Sequence, residues 1–386
     1  MKRILTLDGG GIRGVFSLQI LRRLEAIFRE EQRRDDLVLA DVFHLFAGTS
    51  TGAIIATCLA WGMPVREIEE LYLTCASGVF TKERWYRRWK AKYRAAPIAE
   101  FLRQSFSEAE HGPPALLGSK RLRTLLLIVM RNASTGSPWP VSNNPRARYN
   151  DASLPDCNLK IPLWQLLRAS TAAPFYFPPE AIRLGDQTSL FVDGGMTPFN
   201  NPSLIAVLMA TLAPYQLCWP AGRELLHVIS IGTCAAQARL PHKVAAKINL
   251  LDEIRYVAPA WVGTMSAEQD LLCRVLGDCV YGAPLDSEIG TLDVPTLLGA
   301  NEQKFTYVRY DQAWNAEHST AAGLSGLEAE LDDVKPIPVL QRIGQEYASE
   351  HVRLEHLFPR RPVPPTEPDP PADAPVHWVQ PATGSG

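Results

Sequence analysis

With 386 residues, 46% of them hydrophobic, the chain can bury the core of one large domain or of two ordinary ones. A formal net charge of −2 gives no basic surplus of the kind that draws polymeric nucleic acid. Seven scattered cysteines, without a C-x-x-C pair, read as free thiols in a reducing cytoplasm and not as a disulfide framework. Met1-Lys2-Arg3 runs straight into a strand-like segment, so a signal peptide is not expected, and no apolar stretch is long enough to span a bilayer.

Ile4 to Leu7 reads as a buried strand and is followed by Asp8-Gly9-Gly10-Gly11-Ile12-Arg13-Gly14. Leu18, Leu21, Leu24 and Phe28 then share one face of a helix, and Arg29 to Asp36 is its charged end and loop. The apolar run Val42 to Ala47 rises into Gly48-Thr49-Ser50-Thr51-Gly52, and an Ala/Ile-rich helix begins at once. That is the layout of a nucleophile elbow, with Ser50 on a sharp strand-to-helix turn and Gly48 and Gly52 allowing the backbone to pass close to itself. Strand, glycine loop, helix, strand, elbow and helix describe a βαβ unit in a parallel sheet.

The loop Gly9-x-Gly11-x-x-Gly14 also matches a dinucleotide-binding fingerprint. Two features weigh against that use. The next strand ends in Gly48-Thr49-Ser50, not in an acid for a ribose, and Asp8 would set a carboxylate beside a pyrophosphate. The other use of such a loop is an oxyanion hole, in which the N–H groups of Gly9, Gly10 and Gly11 converge on a tetrahedral intermediate. Arg13 either adds positive charge there or makes a structural ion pair.

Val65 to Ser77 has the spacing of a covering helix. Lys82 to Arg94 carries seven cationic and four aromatic residues in thirteen positions. It reads as a solvated helix face or as an interfacial segment on anionic lipid, with a nucleic-acid stripe, which nothing else in the chain supports, as a third reading. Leu122 to Met130 is a further strand, Ser134 to Asn150 a long loop, and Ile161 to Ala173 a helix stopped by Pro174. The short strand Leu190-Phe191-Val192 leads into Asp193-Gly194-Gly195, then Asn200-Asn201-Pro202, a helix from Ser203 to Leu212 and a strand from Leu226 to Ile231. Beyond Leu240 a helix over Asp252 to Leu276, a strand over Phe305 to Tyr310 and a helix over Ile337 to Phe358 are expected, and the Pro-rich tail 359–386 is expected to be disordered.

A serine nucleophile needs a base. Of the eight histidines, His44 and His227 lie in strands and none follows a strand in a glycine-flanked turn. Asp193 does, and a partly desolvated carboxylate there is basic enough to form a Ser–Asp dyad; a plain Asp-Gly-Gly turn is the alternative. No His/Cys/Asp/Glu grouping has metal-ligand spacing, so neither metal nor cofactor is expected.

Asp8 to Gly14, Gly48 to Gly52, Asp193-Gly194-Gly195, Ala169 to Pro179 and Asn200-Asn201-Pro202, in this order, resemble the patatin-like phospholipases over roughly residues 1 to 235. The resemblance implies a three-layer α/β/α fold with a central, mostly parallel sheet, a Ser50–Asp193 dyad and an oxyanion hole at Gly9 to Gly11. It also implies hydrolysis of the acyl esters of membrane phospholipids through an acyl-enzyme, at the inner membrane surface. A narrower resemblance is to the phospholipase effectors of bacterial CBASS anti-phage systems, which a cyclic dinucleotide switches on. Residues 236–358 would then hold the sensing site, or serve as a lid or a homo-oligomer interface. Such a site needs aromatics and cations, and Arg274, Tyr281, Lys304, Tyr307 and Arg309 are its candidates, Tyr307 and Arg309 sharing a strand face with Phe305; the alternative is that these residues pack the C-terminal helix onto the sheet. An unregulated lipid acyl hydrolase and a nucleotide-binding signalling module are the competing functions. The latter has no use for Asp193.

Overall fold

A computed structural model describes residues 1–79, 93–235, 250–286, 288–292, 302–323 and 335–358. Its elements are, in order, β1 (Lys2–Leu7), α1 (Gly14–Gln32), β2 (Leu45–Thr49), α2 (Thr51–Trp61), α3 (Val65–Val79), α4 (Ala95–Ser105), β3 (Leu125–Asn132), β4 (Ser137–Ser142), α5 (Leu163–Ser170), β5 (Glu180–Leu184) and β6 (Gln187–Asp193). Then come α6 (Ser203–Thr211), β7 (Leu226–Ile231), α7 (Leu250–Leu276), β8 (Asp278–Tyr281), β9 (Thr306–Tyr310), α8 (Ala316–Ala321), α9 (Ile337–His351) and α10 (Leu354–Leu357).

The central strands carry apolar residues on both faces, which is what a parallel sheet covered by helices on two sides demands. Alternation sends Leu5, Leu7, Phe46, Ile128, Ile229, Ile231, Val308 and Tyr310 into a core shared with α1, α2, α5 and α9. Ile4, Leu45, Ala47, Val129, Val228, Phe305 and Tyr307 point the other way, onto Ile205, Ala206 and Met209 of α6 and Cys273 of α7. The result is the expected α/β/α layering around one nine-stranded sheet, ordered β5-β6-β3-β2-β1-β7-β9-β8 with β4 also on β3. The pairs β3–β2, β2–β1, β1–β7, β7–β9 and β9–β8 are parallel; β3–β4, β3–β6 and β5–β6 are antiparallel.

Register places the site. Leu45 to Thr49 of β2 pair with Leu125 to Val129 of β3, while Asp193, Val192 and Phe191 of β6 pair with Met130, Arg131 and Asn132. Because β4 pairs along 127–132, it occupies the opposite edge of β3, and β2 and β6 lie end to end on the same edge. Their C-termini therefore abut, Thr49 opposite Val129 and Asp193 opposite Met130.

Some local expectations need correction. The stretch 134–150 is not all loop, since it contains β4, whose Pro138 and Pro140 alternate with the laddering Trp139 and Val141. Alternation puts both missing N–H groups on the outer edge, where a strand tolerates proline. The segment before Asp193 is the second strand of a β5–β6 hairpin turned at Gly185, whose φ is 58°. The last helix breaks at Val352 into α9 and α10. Most of the basic aromatic segment, and the tail 359–386, lie outside the described residues. Tyr93, near that segment's end, donates its N–H to the Tyr176 carbonyl at 2.9 Å and packs on Phe177. Among the described residues no helix is long and apolar enough to cross a membrane.

Candidate active site

Ser50 stands between β2 and α2 with φ 54° and ψ −126°, a conformation that costs a non-glycine residue backbone energy and is held only where the surroundings insist. They do so through close packing. A Cβ on Gly48 would strike the Gly52 backbone, and one on Gly52 would strike the carbonyl oxygens of Leu7 and Asp8. The Ser50 N–H donates to Ser170 Oγ at 2.9 Å, and Ser170 Oγ donates to the Val129 carbonyl at 2.6 Å. The end of α5 thus fixes the elbow against β3.

Ser50 Oγ donates to Asp193 Oδ2 at 2.7 Å. The other carboxylate oxygen, Oδ1, accepts the Gly195 N–H at 2.7 Å, and the Asp193 N–H donates to the Ala172 carbonyl at 3.1 Å. Gly194 has to be glycine because a Cβ there would meet the Val129 carbonyl and Thr49. Burial pushes the Asp193 carboxyl up to about 6, against the opposing pull of the Gly195 N–H, the Ser50 hydroxyl and the Arg168 guanidinium. A carboxylate in that range accepts a proton more readily than an exposed one and is still ionised at neutral pH.

The glycine loop leaves β1 next to Ser50. The Gly9 N–H donates to the Asn200 carbonyl at 3.2 Å, and Asn200 Nδ2 donates back to the Gly9 carbonyl at 3.3 Å, so Gly9 is committed to structure. Among the described residues, no backbone acceptor is found for the Gly10 and Gly11 N–H groups. Gly11, at φ 57°, takes a left-handed conformation suited to glycine, and its carbonyl accepts the Tyr72 hydroxyl at 2.5 Å. Arg13 sits in the 3-10 turn after it, half-buried.

Phe175 is 79% exposed at φ 70°, three residues beyond the Ala172 carbonyl that holds Asp193. Helix α7 ends near β9, where the Lys304 N–H meets the Leu276 carbonyl, and its Ser266 Oγ receives Asn200 Nδ2 at 3.0 Å. It therefore runs antiparallel to the strands. Its earlier residues, including the exposed Val257 and Trp261, reach out past the catalytic edge.

The two strand histidines stand elsewhere. His44 precedes β2, roughly 20 Å of strand from Ser50, and accepts the Arg3 N–H. His227 is wholly buried near the start of β7, and burial lowers it to about 3. Neither can take a proton from Ser50.

The residues expected to sense a cyclic dinucleotide are not gathered into one pocket. Arg274 is buried on Asp270, Tyr281 stacks on His356 at 4.5 Å, Tyr307 is fully buried, and Lys304 is exposed at the opposite end of β9 from the catalytic edge. Arg309 is buried in ion pairs with Asp8 and Asp311. Sequence reading missed three contributors: Ser170, Arg168 and the Asp8–Arg309 pair. The first two lie in the Ala169 to Pro179 region or just before it; the third has no local signal.

A strained serine at a strand-to-helix turn, bonded to a buried carboxylate and facing a glycine loop, is an arrangement of the serine-hydrolase class. Residues 5–207 match the patatin-like phospholipase family. The chain is 30% identical over 284 residues to the cGAMP-activated phospholipase of Vibrio cholerae, covering 70% of this chain and 75% of that protein. It is 31% identical over 250 residues to the cGAMP-activated phospholipase of Escherichia coli, covering 64% and 65%. To the calcium-independent phospholipase A2-gamma of Mus musculus it is 32% identical over 251 residues, covering 60% of this chain and 28% of that protein. The chain belongs to the patatin-like phospholipase family and is one of its lipid acyl hydrolases.

Proposed function

We propose that the protein hydrolyses acyl esters of membrane phospholipids with Ser50 as nucleophile and Asp193 as base. The observation that carries this is the 2.7 Å hydrogen bond from Ser50 Oγ to Asp193 Oδ2 at the head of the elbow. Asp193 takes the Ser50 proton as Oγ bonds to the ester carbonyl carbon, and the carbonyl oxygen becomes an oxyanion. The Gly10 and Gly11 N–H groups receive it. The tetrahedral intermediate collapses, the acyl–oxygen bond breaks, and the lysophospholipid alkoxide leaves with the proton from Asp193. Asp193 then deprotonates a water, whose oxygen attacks the acyl carbon. Breakage of the Ser50 ester releases the fatty acid, and the proton returns to Oγ.

The reading includes regulation. Two relatives, at 30% and 31% identity, are named as cGAMP-activated phospholipases, which supports a cyclic-dinucleotide activator and a CBASS-type effector role at the cytoplasmic membrane surface. The test is fatty-acid release from phosphatidylglycerol/phosphatidylethanolamine vesicles, with a panel of cyclic dinucleotides and without. The expected result is release that depends on Ser50 and rises with one dinucleotide. Ligand-independent release at full rate leaves an unregulated hydrolase, and no release under any condition removes the phospholipase reading.

A further inference from the structure

Asp8 closes β1 immediately before the three glycines and is almost wholly buried. Its Oδ1 accepts Arg309 Nη1 at 2.9 Å and its Oδ2 accepts Nη2 at 2.6 Å, a two-point contact between residues 301 positions apart. Arg309 lies on β9, two strands away. In register, Thr6 of β1 sits opposite Ser230 of β7, and Ser230 opposite Arg309. The small Ser230 side chain lets the guanidinium cross β7, and its Oγ accepts Nη1 on the way at 2.7 Å. Asp311 Oδ2 accepts the same Nη2 at 2.8 Å, so a second carboxylate also holds the guanidinium.

The proton transfers at Ser50 make no use of this pair. Two desolvated charges are weak contributors to net stability, and a bidentate guanidinium–carboxylate contact chiefly supplies a fixed direction. That direction matters because Asp8 is joined through the backbone to the glycine loop. Gly9 is pinned on its other side by Asn200, and the Gly10 and Gly11 carbonyls accept the Arg13 N–H and the Tyr72 hydroxyl, while the Gly10 and Gly11 N–H groups face no backbone acceptor among the described residues. Donors must be aimed before the charge develops if they are to stabilise it.

We propose that Arg309 is a positioning residue for the oxyanion loop: by gripping Asp8 it fixes where the Gly10 and Gly11 N–H groups point. Transition-state stabilisation then depends on a strand outside residues 5–207, the part that the family match covers. The inference rests on the reading of Gly10 and Gly11 as oxyanion donors.

Two variants of the full chain test it. Arg309→Lys keeps the charge and loses the two-point grip. The double variant Asp8→Leu/Arg309→Met replaces the buried pair by apolar groups of similar size, an exchange that is often neutral for stability, and leaves Asp311, which is partly exposed, to water. Steady-state kinetics on a soluble short-chain p-nitrophenyl ester are read beside the affinity for a long-chain trifluoromethyl ketone, whose serine adduct carries an oxyanion. In the double variant kcat should fall about 10²-fold with KM nearly unchanged, and ketone affinity should fall with kcat, the size expected when one oxyanion donor is lost. Arg309→Lys should lie between it and the parent. If either variant keeps its melting midpoint and the parent's kcat, the inference is wrong. It is equally wrong if ketone affinity stays while kcat falls. Should the double variant fail to fold, Arg309→Lys decides. A parent protein that neither cleaves the ester nor is labelled at Ser50 by a fluorophosphonate overturns the reading of the site, and this inference with it.

Discussion

Ser50 and Asp193 meet because β2 and β6 end against each other on one edge of β3, Thr49 opposite Val129 and Asp193 opposite Met130. The pair is thus made by strand register, and its 2.7 Å bond joins residues 143 positions apart. Ser50→Ala and Asp193→Ala should each lower ester hydrolysis by about 10³-fold or more, with the double variant hardly worse, since the two act as a unit. Initial rates on a soluble ester, with circular dichroism to confirm folding, are the measurement. An Asp193→Ala protein of full activity would remove the carboxylate from the mechanism.

On the proposed mechanism Asp193 has to be ionised to take the Ser50 proton. Burial raises its pKa to about 6, so kcat/KM should rise with pH through an apparent value near 6 and then level off. The nearby Arg168, fully buried and donating Nη2 to the Pro178 carbonyl at 2.8 Å, opposes that rise by favouring the carboxylate. Arg168→Gln should therefore move the acid limb to higher pH. A pH–rate profile that does not shift in this variant would show that the cation is too well screened to matter.

The same shift has a consequence for stability with the opposite sign. A carboxyl harder to ionise when folded favours the folded state most below about pH 4, and this contribution is lost as pH rises through about 6. Asp193→Asn removes the cost of a buried charge. Its unfolding midpoint in urea should exceed the parent's at pH 8 and converge with it at pH 4.

Gly52 lies where β1 passes behind the elbow, and a methyl there would meet the Leu7 and Asp8 carbonyl oxygens. Backbone cannot step aside as a side-chain tip can. Gly52→Ala should cost about 1–3 kcal/mol of stability, as overpacking does, and should also displace Ser50 from Asp193. Chemical denaturation reads the first effect and fluorophosphonate labelling rate the second. A variant of parental stability and labelling rate would mean that the elbow is looser than its packing indicates.

Phe175 and Trp261 stand 79% and 54% exposed. Aromatic side chains of this kind partition into the headgroup region of a bilayer. Phe175→Ser and Trp261→Ser should lower hydrolysis of vesicle lipid about tenfold together, by about the free energy of burying one such side chain, and spare a short soluble ester. Parallel loss on both substrates would indicate damage to the catalytic edge instead.

The sequence carried what depends on neighbours along the chain. The run Leu226 to Ile231 is read as a strand and is one, and the face of α1, the glycine loop, the elbow and the strand-end Asp193 are all local patterns of periodicity and turn chemistry. Alternation also placed Phe305, Tyr307 and Arg309 on one side of β9, as they are. What Arg309 touches was beyond it. A cation on a strand face fits a ligand phosphate as well as a buried carboxylate, and only the order β1-β7-β9 brings it to Asp8. β4 was hidden because its prolines remove a signal that the edge position makes unnecessary, and β5 and β8 because short strands gain their identity from the partner they pair with. The sequence names the serine and the carboxylate. That they lie 2.7 Å apart is decided by the register of β3, a long-range pairing that no window along the chain contains.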